Sequence, residues 1–194
     1  MKRYELKVVQ DESPMNPRTE WDNVTTMLCF HRRYDLGDET HYCSNNYDGW
    51  DEFEEQIRKD YNVLMLKPLY LYDHSGITIS TSPFGCQWDS GQIGFILIEE
   101  KQWEKMMGPD MDRSEERLER IINGEVEDYD KYLRGDVWGF KLYEVNECNL
   151  GHEHKELVES CYGFFDEDDC RSEGESMLES YEKESLVKSS TSVL

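Results

Sequence analysis

The chain has 194 residues and a formal net charge of −22, from 43 acidic against 21 basic side chains. A surface this negative repels nucleic acid and anionic lipid and steers basic surfaces toward itself over a Debye length of about 8 Å, so neither nucleic acid nor a membrane is expected as a partner. The length suits one domain with a sizeable core, and a 12% aromatic share supports burial where the 37% hydrophobic share is low.

Tyr4, Leu6 and Val8 alternate and predict an opening strand, which Ser13-Pro14-Met15-Asn16-Pro17 breaks into a loop. The opening Met1 to Asp11 lacks the apolar stretch of a secretory signal, and no run of about 18 apolar residues follows. Six cysteines at 29, 43, 86, 148, 161 and 170 form no CxxC pair and read as reduced thiols in a cytosolic protein. A second strand is expected over Val24 to His31, then a long structured loop from Arg32 to Gly49. Trp50, Phe53, Ile57 and Tyr61 share one face of a helix over 50–61. Apolar or alternating runs at 63–72, 76–82 and 92–98 predict strands, with Pro68 at an edge or a bulge.

Helices are predicted over 99–107 and from Ser114 to Tyr132, where Gly124 can divide the second. Strands at 137–145 and 156–163 form a hairpin around Asn149-Leu150-Gly151, and a last helix runs from Asp166 to Val187, its acids opening the first turn. Because hairpins and helices do not alternate regularly, the fold class expected is α+β, mainly antiparallel sheet with three to four helices on one side. One acidic domain is expected over 1–188, with a mobile tail over 189–194.

Two polar stretches border apolar strands: Tyr72-Asp73-His74-Ser75-Gly76 and Trp88-Asp89-Ser90-Gly91-Gln92. Ser75 or Ser90 with His74 and Asp73 or Asp89 supplies the parts of a nucleophile and its base, and Cys86 with His74 or His31 supplies a thiol version. The same residue types serve tight turns, where Asp and Ser bond local backbone and Gly adopts positive φ. A metal can be imagined on His31, His74, Asp73 and Asp89, or on Cys148, His152 and His154 with Cys161. Neither set follows a ligand template, and a hairpin turning near Leu150 carries Cys161 far down the ladder from Cys148; no metal and no cofactor is expected. His31-Arg32-Arg33 can hold an anion or pair internally with Asp22, Asp35 or Asp38. No glycine-rich phosphate loop is present.

The acidic excess is greatest at the C-terminus, where residues 151–194 carry 12 acids and 4 bases, a net of −8. In the last helix Asp166, Asp169 and Glu173 share one row and Glu175, Glu179 and Glu182 a second. Asp112, Glu115, Glu116, Glu119, Glu125, Glu127 and Asp128 form another acidic stretch. Carboxylates about 5–6 Å apart along a helix approximate the charge spacing of a nucleic-acid strand, so such rows suit a basic partner groove. The rival is a solvated face that only maintains solubility.

Several strings resemble a family of small, mostly uncharacterised phage and mobile-element proteins: Trp21-Asp22-Asn23, His31-Arg32-Arg33-Tyr34-Asp35-Leu36-Gly37-Asp38, Tyr70-Leu71-Tyr72-Asp73-His74-Ser75-Gly76, and Trp88-Asp89-Ser90-Gly91-Gln92-Ile93-Gly94-Phe95. The resemblance spans most of residues 20–165 and implies no catalytic assignment. It implies a mobile-element setting within a host cell, where a small acidic protein looks like an anti-defence inhibitor of the anti-CRISPR kind, its partner a host effector such as an RNA-guided nuclease with guide RNA. Two other readings stand beside it: a hydrolase or metal-dependent enzyme built on His74, Asp73, Asp89 and Cys86, and a structural protein of the element.

Overall fold

Alternating apolar residues near the start and after residue 136 build one sheet, and the apolar runs between residues 26 and 99 build another. The structure is a computed structural model and describes residues 3–148 and 150–191. In chain order the elements are β1 (Arg3–Gln10), α1 (Pro17–Glu20), β2 (Thr26–Cys29), α2 (Trp50–Asp60), β3 (Val63–Asp73), β4 (Ile77–Ser80), β5 (Ser90–Glu99), α3 (Glu100–Met107), α4 (Glu115–Arg134), β6 (Trp138–Glu147), β7 (Glu153–Phe164) and α5 (Glu167–Thr191). Every strand pairing is antiparallel, and the fold is α+β. Where the sequence reads as one domain over 1–188, the chain gathers into two compact units: a terminal one, Met1–Met15 with Gly135–Leu194, and a central one, Asn16–Arg134.

In the terminal unit the strand order is β1-β6-β7. Leu6 pairs with Leu142 and Val8 with Phe140, so these side chains share the face that α5 covers. Gly174 lets that helix approach closely, since a Cβ there would lie 2.8 Å from Leu6 Cδ1 and 3.3 Å from the Phe140 ring. Cys170 is buried on the same side, and Tyr181 meets Tyr4 edge-on with centroids 5.5 Å apart. The helix begins where Asp166 Oδ1 accepts from the backbone N–H of Asp168 (2.8 Å) and Asp169 (3.1 Å). It continues through Thr191, into the segment expected to be a tail; residues 192–194 lie outside the described residues.

In the central unit the order is β2-β5-β3-β4. Ile93 to Ile98 of β5 are all buried, the mark of a central strand covered on both faces. Ile96 and Ile98 pack with Trp103 of α3 and with Leu118, Ile122 and Val126 of α4, whereas Phe95 and Leu97 pack with Phe53 and Ile57 of α2. Helices therefore lie on both faces of this sheet, not on one. Gly94 sits between β2 and β3 with no room for a side chain: a Cβ would fall 1.8 Å from the Leu28 carbonyl oxygen. Pro68 occupies the part of β3 that β4 does not reach, beside a register shift at Leu69 and Tyr70, so its missing N–H costs no ladder bond on that side.

Two local expectations change. Gly124 does not divide α4, because Leu118, Ile122, Val126 and Tyr129 bury a continuous stripe whose burial outweighs a glycine cost of about 1 kcal/mol; the helix stops at Gly135, whose φ is +69°. The segment expected as loop before Trp21 contains the single turn α1, with Asn16 Oδ1 accepting from the Arg18 N–H at 2.9 Å.

Candidate functional site

The turn from β3 to β4 is set by Ser75 at φ +60° and Gly76 at φ +152°, with the His74 N–H donating to the Gly76 carbonyl at 3.0 Å. The Asp73 N–H donates to the Asp89 carbonyl at 2.8 Å, which brings the two polar stretches singled out in the sequence side by side. His74 Nδ1 lies 3.4 Å from Asp89 Oδ2, and Cys86 Sγ lies 3.7 Å from the same oxygen. Asp73 accepts instead from the Arg33 guanidinium and from the Tyr34 hydroxyl, at 3.2 Å to Oδ2. His31 stacks on Tyr34 at 4.9 Å, and burial followed by the positive charge of Arg33 pushes its pKa below the usual imidazole range. His31-Arg32-Arg33 thus pairs internally through Arg33, but with Asp73 and not with the three acids expected.

Chemically, this convergence is ordered around a carboxylate. An activated thiol needs its base within hydrogen-bond reach. Here Asp89 Oδ2 is the shared neighbour of thiol and imidazole, and the Ser90 hydroxyl is spent on the Cys86 carbonyl. His74 is 64% exposed and Trp88, at the tip of the turn, is 95% exposed.

Compared with known proteins, the chain matches no family model, no curated protein and no solved structure. Among the described residues no group of three or more His, Cys, Asp or Glu side chains is placed to hold a metal ion. The set of His31, His74, Asp73 and Asp89 is divided between the two arrangements above. Cys148 caps the hairpin turn, its N–H donating to the His152 carbonyl at 2.9 Å, while Cys161 stands opposite Phe140 toward the other end of the ladder. Among the described residues no helix is long and apolar enough to cross a membrane.

The acids named from the sequence fall into two groups. Some belong to the fold. Glu125 is only 17% exposed and holds Arg18, the Thr25 hydroxyl and the Val24 N–H (2.8 Å). Asp112 accepts from the N–H and hydroxyl of Ser114 at 3.0 and 2.7 Å, bonds that hold its carboxyl below the usual range. Asp166 caps α5, and Asp128 is half-buried, which raises its pKa. Others stand on the surface: Glu115 and Glu116 are exposed on the first turn of α4, Glu119 pairs with Lys67, and Glu127 pairs with Lys131 at 2.9 Å. On α5, Asp169, Glu173, Glu175, Glu179 and Glu182 are all exposed, with Glu179 paired to Lys183 at 3.1 Å.

Sequence reasoning missed Arg18, the best-satisfied cation in the central unit. Its side chain is 1% exposed and its five N–H groups all donate: Nε and Nη2 to Asp38 (2.9 and 2.6 Å), Nη1 to Glu125 (2.8 Å) and Thr25 Oγ1 (3.3 Å), and Nη2 to the Thr25 carbonyl (2.9 Å). The available signal was Pro17-Arg18 beside a helix-capping Asn16; nothing in it names Glu125, 107 positions away.

Proposed function

We propose that the chain is a non-enzymatic anti-defence inhibitor of a mobile element that presents acidic helical surface to a basic, nucleic-acid-handling groove of a host effector, such as an RNA-guided nuclease carrying its guide. The observation that carries this reading is α5: its apolar side is used by the sheet, and Asp169, Glu173, Glu175, Glu179 and Glu182 remain exposed along the rest. These carboxylates are surplus to the fold, unlike Glu125 or Asp112, and surplus charge of one sign is what steers a basic partner. The exposed acids of α4, Glu115, Glu116 and Glu127, supply a second surface. The string resemblance to phage and mobile-element proteins supplies the setting.

The test is binding of the intact protein to a panel of guide-loaded RNA-guided nucleases at about 0.05 and 0.5 M salt, with double-stranded DNA as competitor. Binding that weakens steeply with salt, is displaced by DNA, and is lost in the triple variant Glu175→Lys, Glu179→Lys, Glu182→Lys is expected. Tight binding that ignores 0.5 M salt and the triple variant refutes the acidic-surface reading.

A second reading rests on the shared contact of His74 and Cys86 with Asp89: a thiol hydrolase in which Asp89 orients the imidazole. Alanine at His74 and at Asp89 would then abolish function in a folded protein, and retained function removes this reading.

A further inference from the structure

The loop between β2 and α2 and the first turn of α2 gather a cluster of rings on the Phe95 and Leu97 face of the central sheet. Phe30, Tyr47, Trp50 and Phe53, with Ser44 and Gly49, line one open cleft of about 110 Å³ in the central unit. Phe53 is buried and forms its floor, and the other three rings are half-buried. Phe30 and Trp50 lie nearly parallel, 14° apart with centroids at 6.4 Å, while Tyr47 and Phe30 each tilt 41° against Phe53 at 4.9 and 4.8 Å. Tyr42 backs the cluster at 5.3 Å from Phe53, and its hydroxyl donates to Asp60 at 2.8 Å.

These rings pack on one another and on the core around Phe95 and Leu97, and the sides that they leave uncovered line the cleft. A ring face carries negative electrostatic potential and attracts a cation within about 6 Å of its centroid, most strongly for Trp. The charges around the cleft have the same sign. Asp48, Asp51 and Glu52 flank Gly49 and Trp50 and are exposed, and Asp60 and Glu52 together disfavour ionisation of Tyr47, after burial itself. The nearby cations Arg58 and Lys59 are paired with Glu54 and Glu55. An anion is repelled from such a site, and a neutral apolar ligand gains nothing from the acids.

We propose that this cleft is an aromatic cage for a small quaternary ammonium compound of the choline type. The cation rests against the faces of Trp50, Tyr47 and Phe30 over Phe53, and the surrounding carboxylates supply longer-range attraction. Methyl groups on nitrogen suit this lining better than a bare ammonium does, because they spread the charge and shed little hydration. The inference is independent of the acidic surface of α5, which lies in the other unit.

The test is calorimetric titration of the full chain with choline chloride at constant ionic strength, set against 3,3-dimethylbutan-1-ol, which has the same shape without the charge. Choline is expected to bind at least about ten-fold more tightly than the alcohol, the discrimination that a cation–π contribution of about 1.4 kcal/mol gives. Trp50→Ala should abolish choline binding. Because that variant removes packing, Trp50→Phe, which keeps a ring with a weaker quadrupole, serves beside it and should bind several-fold more weakly while retaining the native circular dichroism spectrum. Equal affinity for choline and the alcohol overturns the proposal, as does the absence of heat with choline at tens of millimolar. Binding of a trimethyl-lysine peptide without binding of choline overturns the small-molecule assignment.

Discussion

Replacing Arg18 by Met isolates the network that joins α1, β2, the loop at Asp38 and α4. The substitution keeps most of the aliphatic stem and removes five donated hydrogen bonds at once. It leaves Asp38, 22% exposed, and Glu125, 17% exposed, without the cation that joins them. Both carboxylates keep one strong backbone partner, the N–H of Met27 for Asp38 and of Val24 for Glu125, each at 2.8 Å, so the loss is not that of two bare charges. Breaking a buried pair on one side costs about 3–5 kcal/mol, and the retained bonds favour the lower half of that range. In urea, with a slope of about 2 kcal/mol per molar, the midpoint should fall by about 1.5–2 M. Asp38→Asn with Glu125→Gln in the Arg18→Met background should recover part of the loss by removing the unbalanced charges. A loss below about 1 kcal/mol, the value of an exposed pair, would refute the claim that this network holds the central unit together.

Three further outcomes follow from the same structure. Gly94→Ala should abolish folding of the central unit, read as loss of its near-ultraviolet circular dichroism, because the new Cβ meets the Leu28 carbonyl at 1.8 Å; Gly124→Ala, whose Cβ meets nothing within 4 Å, should raise Tm by about 2–4 °C. Burial pushes the Cys29 thiol up to about 12 and the Tyr129 phenol up to about 12. Both groups ionise more readily in the unfolded chain, so the stability they contribute is fully present below pH 9 and is lost as pH rises from about 9 to 12; urea midpoints measured across that range should fall, and more gently in Cys29→Ala. Glu125→Gln should lower stability and leave any binding to a basic partner unchanged per folded molecule, whereas Glu127→Gln should change the stability read from urea unfolding by no more than about 0.5 kcal/mol, since the Glu127 side chain is itself 66% exposed.

The helices over 50–60, 100–107 and 115–134 and most strands were legible because their signals are local: a repeating apolar stripe or a run of β-branched residues reports burial without knowledge of the partner. What failed was information about partners. The apolar run Ile93 to Ile98 marks a strand covered on both sides, yet it does not say that α2 takes the face of Phe95 and Leu97 and α4 that of Ile96 and Ile98. Gly124 reads as a helix breaker in isolation and is overridden by Ile122 and Val126 packing against the sheet. The candidate site was half legible for the same reason. The turn residues Asp73, His74 and Asp89 could be named, but that Asp73 turns to Arg33 and Tyr34 while Asp89 meets His74 and Cys86 depends on a register between β3 and β5 that no short string encodes.

The acids sort by what holds them. Asp38 and Glu125 bind Arg18, and Asp130 accepts from the Thr78 hydroxyl at 2.6 Å and the Ile79 N–H at 2.8 Å, so α4 is tied to β4 by a carboxylate and not by apolar packing alone. Such acids lower the energy of the folded chain and are unavailable to a partner without unfolding it. The exposed acids of α5 do the reverse: they repel one another along a single helix, and each cation placed among them relieves that repulsion. Added salt should therefore stabilise the terminal unit while weakening the proposed contact with a basic partner, two opposite responses from the same carboxylates. Charge that served only solubility would show the first response without the second.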